Sequence, residues 1–400
     1  MNIVVMKFGG SSVADEDKIC AVAERVVATR REGKDVVVVV SAMGKTTDQL
    51  LALARRIHPD PPRRELDMLI SVGERISMAL LSMAVQKRGL DAVSLTGSQS
   101  GIITNDRHSD ARIIEVRPVR IQDELARGRI VIVAGFQGMS YRREITTLGR
   151  GGSDTTAVAL AAALDGVCEI YGDVDGVYSA DPKLVSAVRH IPDLGYAEMQ
   201  EMAEHGAKVL NAAAVEFAKQ SGIAIFVRRT DGTGSETIVR KFPPKAPGRV
   251  VGIAHEKSVR VISSADPGAI TDGELLQFLE EQSLPGKQLS MHRFGSGPGA
   301  ALVVSREFLE DPAALQGKLR ERFGERVAVR GDLGAVSLIG AGITQGFTIL
   351  RRSIELLREA GCESCGLHTS SFRITFLVPE ARVEEAVRRL HSAFIESDPT

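Results

Sequence analysis

The stretch TLGRGGSDTTAVALAAAL, residues 147–164, joins a glycine-rich loop to a run of strong helix formers. Such a loop delivers backbone N–H groups to a helix N-terminus, which is a ready site for an anion. Arg150 adds a guanidinium suited to a carboxylate or a phosphate, whereas Asp154 adds a negative charge that a phosphate alone would disfavour. This combination predicts two ligands that meet at the loop, one of them a phosphate with its metal ion.

Length and composition limit the class of protein. The chain has 400 residues, which is too long for one compact core and predicts two or three domains. Hydrophobic residues make up 44% and charged residues 25%, an ordinary balance for a soluble protein. Lys and Arg total 50 against 51 Asp and Glu, so the net charge of −1 argues against a dominant nucleic-acid or membrane surface.

The sequence also predicts the compartment. No stretch approaches the roughly 18 apolar residues of a membrane span, and residues 1–7 (MNIVVMK) lack the features of a signal peptide. Four cysteines in the whole chain suit a reducing environment better than a disulfide scaffold. A cytoplasmic location is therefore expected.

Short apolar strands alternate with helices over residues 1–240. The runs predicted as strands are residues 3–6, 36–40, 92–95, 130–134 and 168–171, and the predicted helices include 17–31, 66–88 and 120–127. This alternation predicts an α/β layer with a largely parallel sheet. Ligands of such sheets gather beyond the carboxyl ends of the strands, where the glycine-rich motifs lie.

The pattern changes after a Pro/Gly-rich break, which predicts a linker over residues 241–250. Two similar strand–helix–strand–helix units of roughly 70 residues follow, over residues 251–330 and 331–396. Their predicted strands are residues 259–263, 300–304, 335–339 and 371–378, and their predicted helices are 272–282, 312–323, 346–360 and 382–394.

Several well-known motifs are absent. A Walker A loop fails because Val39 stands where the first glycine is required, and no GxGxxG opens a helix after the first strand. No HExxH is present, and Cys362 and Cys365 lack the partners of a zinc site, so we interpret them as structural. No metal site made by the protein alone is predicted.

Two motifs place a charge beside glycine. Lys7 precedes Gly9 and Gly10 at the end of the first strand, where an ammonium group and a closely approaching backbone suit a phosphoryl group in transfer. A plain turn with a surface lysine is the alternative. Glu74 follows Gly73 in a helical pattern, which indicates close packing beside a carboxylate that binds a substrate ammonium group. The alternative there is an exposed surface formed by Glu74 and Arg75.

Three further segments have polar side chains after predicted strands or near a helix. Residues 40–48 (VSAMGKTTD) offer small and hydroxyl groups, or only a helix cap. Residues 171–183 (YGDVDGVYSADPK) form a long polar turn, in which Tyr178 suits a stacked base and Asp173 and Asp181 suit a ribose or waters around a metal. Plain turn chemistry is the alternative. Lys208 stands at a helix-compatible position and is interpreted as facing phosphates.

In this order the motifs resemble those of the aspartokinase family. The matching segments are residues 7–13 (KFGGSSV), 39–44 (VVSAMG), 65–69 (ELDML), 71–74 (SVGE), 133–138 (VAGFQG), 145–156 (ITTLGRGGSDTT), 171–182 and 206–210 (GAKVL). The resemblance spans residues 1–240, and the remainder is similar to the family's paired ACT regulatory modules. It implies the amino acid kinase fold, a mainly parallel sheet with helices on both faces, followed by two α+β ACT-like modules.

The resemblance also implies a reaction, ATP-dependent phosphorylation of L-aspartate to 4-phospho-L-aspartate, the first step towards lysine, threonine and methionine. Lys7 would stabilise the phosphoryl group in transit, and Asp154 would organise the site around it. The residues implied for ATP are Lys7, Gly9, Gly10, Ser41, Asp173, Tyr178, Asp181, Lys183 and Lys208. The residues implied for aspartate are Thr47, Glu74, Arg150, Gly152 and Ser153, with Arg150 on a carboxylate and Glu74 on the ammonium group. Mg²⁺ would arrive with ATP and needs no dedicated protein cage.

The sequence departs from the family pattern at three places. Gly172 stands where threonine is common, and residues 211–212 (NA) replace Gln-Pro or His-Pro. Residues 266–268 (DPG) keep the family pattern, but residues 284–290 (LPGKQLS) replace an Asn-Ile-Asp type segment that helps bind lysine or threonine in regulated members. This replacement argues against feedback inhibition by such an effector. Residues 369–374 (TSSFRI) keep the interface-strand pattern, which implies a homodimer or larger oligomer through the ACT-like modules.

Two alternative functions stay open at this point. A paralogue that serves a specialised pathway would explain the divergence in the first ACT-like module. A non-catalytic amino-acid sensor on the same fold is a different class of protein, and Lys7, Arg150 and Asp154 argue against it, because a sensor needs no phosphoryl-transfer residues.

Overall fold

The structure is a computed structural model that describes residues 2–243, 248–264, 272–282, 288–292, 299–305 and 312–397. The chain divides into two compact units. The first consists of the described residues of Met1–Tyr178, His190–Ala203 and Lys208–Lys245. The second consists of those of Ser179–Arg189, Glu204–Ala207 and Ala246–Thr400.

Strands and helices alternate along the first unit. Its strands are β1 (Ile3–Phe8), β2 (Asp35–Val40), β3 (Ala92–Leu95), β4 (Ile102–Thr104), β5 (Ile113–Val116), β6 (Ile130–Ala134), β7 (Gln137–Ser140), β8 (Ile145–Thr147), β9 (Val167–Gly172), β10 (Val177–Tyr178), β11 (His190–Ile191), β12 (Asp193–Gly195), β13 (Ile225–Arg229) and β14 (Thr237–Arg240). Its helices are α1 (Glu16–Arg31), α2 (Thr46–Ile57), α3 (Arg63–Ile70), α4 (Val72–Gln86), α5 (Val119–Ala126), α6 (Gly152–Ala163), α7 (Tyr196–Glu204) and α8 (Ala212–Ser221).

The main sheet is largely parallel, as predicted. Among the described residues it has eight strands in the order β12-β14-β13-β9-β1-β2-β6-β3, and of these neighbours β13 and β14 are the antiparallel pair. The five valines of residues 36–40 in β2 are completely buried, because helices cover both faces of the sheet. Helices α1 and α4 pack on one face, while α6 packs on β1 and β2 and against α8.

Strand register brings several strand ends to one edge. Lys7 in β1 lies opposite Val39 of β2 and Ile170 of β9, and Val40 of β2 lies opposite Ala134 of β6. These strands are parallel, so their carboxyl ends lie side by side. A smaller sheet of β5-β4-β7-β8 ends with Thr147 and leads into the 147–152 loop.

The predicted helix over residues 66–88 is wrong in one respect, because it is two helices that break at Ser71. The Ser71 hydroxyl donates to the Met68 carbonyl at 3.1 Å, and the Ser71 carbonyl accepts from Gln137 Nε2 at 2.8 Å. The bond from Gln137 holds the α3–α4 junction to β7. The span Arg63–Gln86 is long and apolar enough by composition to cross a membrane, and half of its most apolar 18-residue window is buried in the protein.

The described strands of the second unit form one antiparallel sheet. Its elements are β15 (Gly252–Ser264), α9 (Asp272–Glu281), β16 (Gln288–His292), β17 (Gly299–Ser305), α10 (Pro312–Phe323), β18 (Val327–Ile339), α11 (Thr348–Glu359), β19 (Gly366–Thr369), β20 (Arg373–Pro379) and α12 (Val383–His391). In the described residues the strand order is β16-β17-β15-β18-β20-β19. The long strands β15 and β18 pair with each other, so strands of both predicted ACT-like modules belong to one sheet.

The limits of the modules at residues 330 and 331 stay a prediction, and so do those of the linker. The expectations for residues 266–268 and 284–287 lie outside the described residues. The segment Ser179–Arg189 belongs to the second unit, where Ala180 and Val185 are buried in a core with Val336 and Phe376.

Candidate active site

Lys7 and Asp154 meet at the carboxyl edge of the main sheet. Lys7 is the second-last residue of β1, and Asp154 lies in the first turn of α6. The distance from Lys7 Nζ to Asp154 Oδ1 is 2.6 Å, and the two side chains are only 12% and 11% exposed. Burial strengthens such an ion pair because little water screens it. The structure therefore brings together the two residues predicted to be catalytic.

The turn after β1 packs against the turn after β2. The Gly44 N–H donates to the Gly10 carbonyl at 3.0 Å. A Cβ on Gly10 would lie 2.8 Å from the Ala42 carbonyl oxygen, so no larger residue fits there. Gly10 is thus required by the neighbouring backbone, whereas a Cβ on Gly9 would point towards Lys7 Nζ at 3.5 Å. Of the two glycines, Gly9 is the one directly beside the lysine.

Glu74 is a buried carboxylate with an open oxygen. Glu74 is only 3% exposed, and its Oε1 accepts a hydrogen bond from the Ala42 N–H at 3.1 Å. Within the described part of the chain, Oε2 has no hydrogen-bond partner. Burial raises the pKa of Glu74 to about 7 against an ordinary 4.5, although hydrogen bonds from backbone N–H groups act in the opposite direction. The alternative of an exposed Glu74–Arg75 surface is therefore wrong, and the open oxygen suits a cationic ligand.

Gly73 allows α4 to approach the turn after β2. A Cβ on Gly73 would lie 2.7 Å from the Ala42 Cβ, closer than two carbon atoms can pack. The close packing predicted from a glycine inside a helical pattern is confirmed. It also explains how Glu74 reaches the Ala42 N–H.

We expect Gly73→Ala to destabilise the protein by about 1–3 kcal/mol, because the added methyl group overpacks this contact. Alanine is the better helix former, so propensity alone predicts the opposite sign. Gly317→Ala in α10 is the matched control, since no atom of the described residues lies within 4 Å of its Cβ position. That variant should gain about 0.5–1 kcal/mol. Urea unfolding at constant pH measures both, and a stabilised Gly73→Ala protein would contradict the close contact.

The 147–152 loop depends on two glycines in left-handed conformation. Gly149 has φ 70° and Gly151 has φ 69°, values that side chains rarely tolerate. Their turn uses part of the predicted anion site, because the Gly152 N–H donates to the Gly149 carbonyl and the Asp154 N–H to the Gly151 carbonyl. The N–H groups of Gly152 and Asp154 are thus already bonded within the turn, so the loop offers a ligand fewer backbone donors than the sequence predicted.

Arg150 is exposed at the tip of this loop. Its carbonyl accepts from Asn211 Nδ2 at 3.0 Å, and a Cβ on Gly151 would fall on the Asn211 side chain. Within the described residues its guanidinium has no acidic partner, which leaves it open to a ligand carboxylate. Asn211, noted in the sequence only as a departure from a family pattern, therefore supports the loop.

Sequence reasoning missed the role of Gly135 and Phe136. A Cβ on Gly135 would lie 2.7 Å from Ser153 Oγ, so this glycine admits Ser153 to the edge of the sheet. Phe136 has φ 66°, which is unusual for a bulky residue, and its N–H donates to Thr156 Oγ1 at 3.2 Å. The segment VAGFQG was the available signal, but one-dimensional spacing does not reveal a strained backbone.

Four of the residues predicted to bind the nucleotide come after β9 and are divided between the two units. Asp173 is exposed directly after β9, and Tyr178 donates its hydroxyl to Asp175 Oδ1 at 2.8 Å. Tyr178 also packs edge-on against the His190 ring, with 5.5 Å between the ring centroids. Asp181 and Lys183 belong to the second unit.

The other predicted residues lie on irregular backbone or at helix starts. Lys208 is exposed in the segment between α7 and α8, so its predicted helical position is wrong. Thr47 is half-buried in the first turn of α2, which begins at Thr46. Ser41 is half-buried after β2, and its N–H donates to the Phe8 carbonyl at 3.1 Å.

Known proteins are similar to this chain over almost its whole length. The model of the amino acid kinase family matches residues 2–229. The aspartokinase of Mycolicibacterium smegmatis is 44% identical, over 98% of this chain and 96% of its own length. The structure of E. coli aspartokinase III in complex with aspartate and ADP (R-state) has a TM-score of 0.83 and 27% identity, and covers 98% of this chain and 99% of that chain. The same enzyme in complex with lysine and aspartate (T-state) has a TM-score of 0.77 over the same coverage.

Proposed function

The chain belongs to the aspartokinases within the amino acid kinase family, and we propose that it transfers the γ-phosphoryl group of ATP to the side-chain carboxylate of L-aspartate. The buried pair of Lys7 and Asp154 carries this proposal. The pair lies at the carboxyl edge of the main sheet. The turn after β2 lies at the same edge, and there Glu74 accepts a hydrogen bond from the Ala42 N–H. A lysine that offsets phosphate charge and a buried carboxylate for an ammonium group suit phosphoryl transfer to an amino acid.

Aspartate is held by its charged groups in this proposal. The open oxygen of Glu74 binds the ammonium group, because a buried carboxylate gains most from a cationic partner. The guanidinium of Arg150, which has no acidic partner among the described residues, binds a carboxylate in two-pronged geometry. The remaining contacts are assigned to Thr47, Gly152 and Ser153.

The nucleotide is bound along the ends of β1, β2 and β9 in this proposal. At these strand ends the proposed residues are Lys7, Gly9, Gly10, Ser41 and Asp173, and the family resemblance adds Tyr178, Asp181, Lys183 and Lys208. Relatives support a nucleotide substrate, since E. coli aspartokinase III has been solved with ADP. The carboxylates of Asp154 and Asp173 are oxygen donors of the kind that Mg²⁺ prefers, so the site suits an ion that arrives with ATP. When bound, that ion neutralises phosphate charge.

The chemistry requires positioning and charge neutralisation more than covalent help. A carboxylate oxygen of aspartate attacks the γ-phosphorus, the bond to the leaving ADP oxygen breaks, and no proton is transferred. Lys7 offsets the negative charge on the moving phosphoryl group, and Asp154 keeps the ammonium group of Lys7 oriented. The acyl phosphate 4-phospho-L-aspartate is the product.

Pathway, location and assembly are further parts of the proposal. We assign the product to lysine, threonine and methionine synthesis in the cytoplasm, where the four free cysteines would stay reduced. E. coli aspartokinase III binds lysine in its T-state structure, which supports an amino-acid effector for this architecture. Residues 284–290 argue against such an effector here and favour a paralogue of a specialised pathway as the second candidate. Assembly as a homodimer or larger oligomer is assigned to the ACT-like modules.

Hydroxylamine trapping tests the function, since it converts an acyl phosphate into aspartyl hydroxamate. We expect hydroxamate only when ATP, Mg²⁺ and L-aspartate are all present, and none with D-aspartate or L-glutamate as the matched controls. The same assay with lysine and threonine tests the effector. Tight aspartate binding in calorimetry with no hydroxamate from folded protein would instead support the sensor.

A further inference from the structure

Asp67 is the centre of a buried hydrogen-bond group that none of the assigned contacts includes. It lies on α3 and is completely buried. Its oxygens accept from Thr147 Oγ1 at 2.6 Å, from the Ser109 N–H at 3.0 and 3.1 Å, and from His108 Nδ1 at 2.7 Å. Hydrogen bonds to a buried carboxylate are strong and expensive to lose, because the charge then lacks compensation.

These bonds hold the start of the 147–152 loop. Thr147 is the last residue of β8, and its carbonyl accepts from the Ala111 N–H at 2.9 Å. A Cβ on Gly149 would lie 3.1 Å from Asp110 Oδ1, so the loop rests on residues 108–111. Asp67 is therefore bonded to the loop at Thr147, three residues before Arg150. It is also bonded to residues 108 and 109 of the segment on which the loop rests.

The same residue is connected to Glu74. The Ser71 N–H donates to the Asp67 carbonyl at 3.1 Å, at the junction where α3 ends and α4 begins. Glu74 lies in the first turn of α4. Through its side chain Asp67 holds the Arg150 loop, and through its backbone it holds the start of the helix that carries Glu74.

We infer that Asp67 is a positioning residue for the aspartate subsite, which sets the distance between the Arg150 guanidinium and the Glu74 carboxylate. The inference rests on the proposed function and adds a residue that touches neither substrate. Aspartate binds by two charges at once, so a small change in the spacing of their partners weakens both contacts. ATP does not depend on this spacing.

The test compares Asp67→Asn, Thr147→Val and Thr147→Ser in steady-state kinetics. We expect Asp67→Asn to raise the KM for aspartate by roughly ten- to a hundredfold, with the KM for ATP unchanged. Thr147→Val keeps the shape but removes the donor, so it should raise the KM for aspartate as well, while Thr147→Ser restores the hydroxyl and the wild-type KM. Asp123→Asn, an exposed acid on α5, is the matched control and should change neither KM.

Hydrogen exchange of the proteins without substrate supplies a readout that does not depend on activity. Amides of residues 145–151 should exchange faster in Asp67→Asn and Thr147→Val, and those of β1 and β2 should not change. An unchanged aspartate KM, equal changes in both KM values, or a lower kcat alone would overturn the inference. If Asp67→Asn fails to fold, Thr147→Val decides. Faster loop exchange in a protein that makes no hydroxamate would refute the proposed function but keep the loop attachment.

Discussion

Lys7→Ala is expected to lower kcat by about 10²–10³-fold at saturating ATP and aspartate. Lys7 Nζ lies 2.6 Å from Asp154, at the end of β1 where the phosphoryl group would pass. Its ammonium group offsets charge that develops in transfer, and a largely buried site makes this interaction worth more than in water. Water that fills the space left by the side chain would stabilise the developing phosphoryl charge less well than the ammonium group does, because water dipoles must reorient during the reaction.

The variant also leaves Asp154 without its cation. An unpaired buried acid costs stability, so we expect a lower unfolding midpoint but a cooperative transition. Lys18→Ala, which removes an exposed lysine of α1, is the matched control and should keep both turnover and stability. Hydroxamate kinetics together with thermal unfolding separate lost chemistry from lost folding. Near-normal turnover in folded Lys7→Ala would show that the role assigned to Lys7 is wrong.

Glu74→Gln is expected to weaken aspartate binding by about 100-fold and at the same time to stabilise the free protein at pH 8. The amide keeps an oxygen for the Ala42 N–H but has no charge for the ammonium group. Burial raises the pKa of Glu74 to about 7 from an ordinary 4.5, so the folded protein binds a proton that the unfolded chain has lost between these values. Stability therefore falls as pH rises through this window, and above it the ionised carboxylate costs roughly 3 kcal/mol.

The pH dependence tests this account directly. The stability gained by Glu74→Gln should be largest at pH 8 and should disappear below about pH 4.5, where wild-type Glu74 is neutral in both states. For the wild type, kcat/KM for aspartate should fall as pH drops below about 7, since a protonated Glu74 no longer attracts the ammonium group. Glu363→Gln, an exposed position, serves as the control. A gain in stability that is the same at every pH would contradict the assigned desolvation.

Much of the first unit was predictable from local pattern. Five consecutive valines at residues 36–40 are typical of a strand buried on both faces, and they form the interior of β2. Gly73 inside a helical pattern indicated a close contact, and the contact is with Ala42. The break at Ser71 was not predictable, because it depends on a bond to Gln137 that is distant in sequence.

Local sequence was sufficient for the order of strands and helices, for the parallel sheet and for the motifs that identify the family, because these follow from periodicity and short-range chemistry. The state of each functional group depends on the assembled fold. Glu74 becomes a weak acid with an open oxygen only when burial removes its water. Asp67 looks like one more helix residue until folding brings Thr147 and Ser109 to its carboxylate. Desolvation and long-range hydrogen bonds join residues that lie far apart in the chain, so the tertiary structure alone determines them.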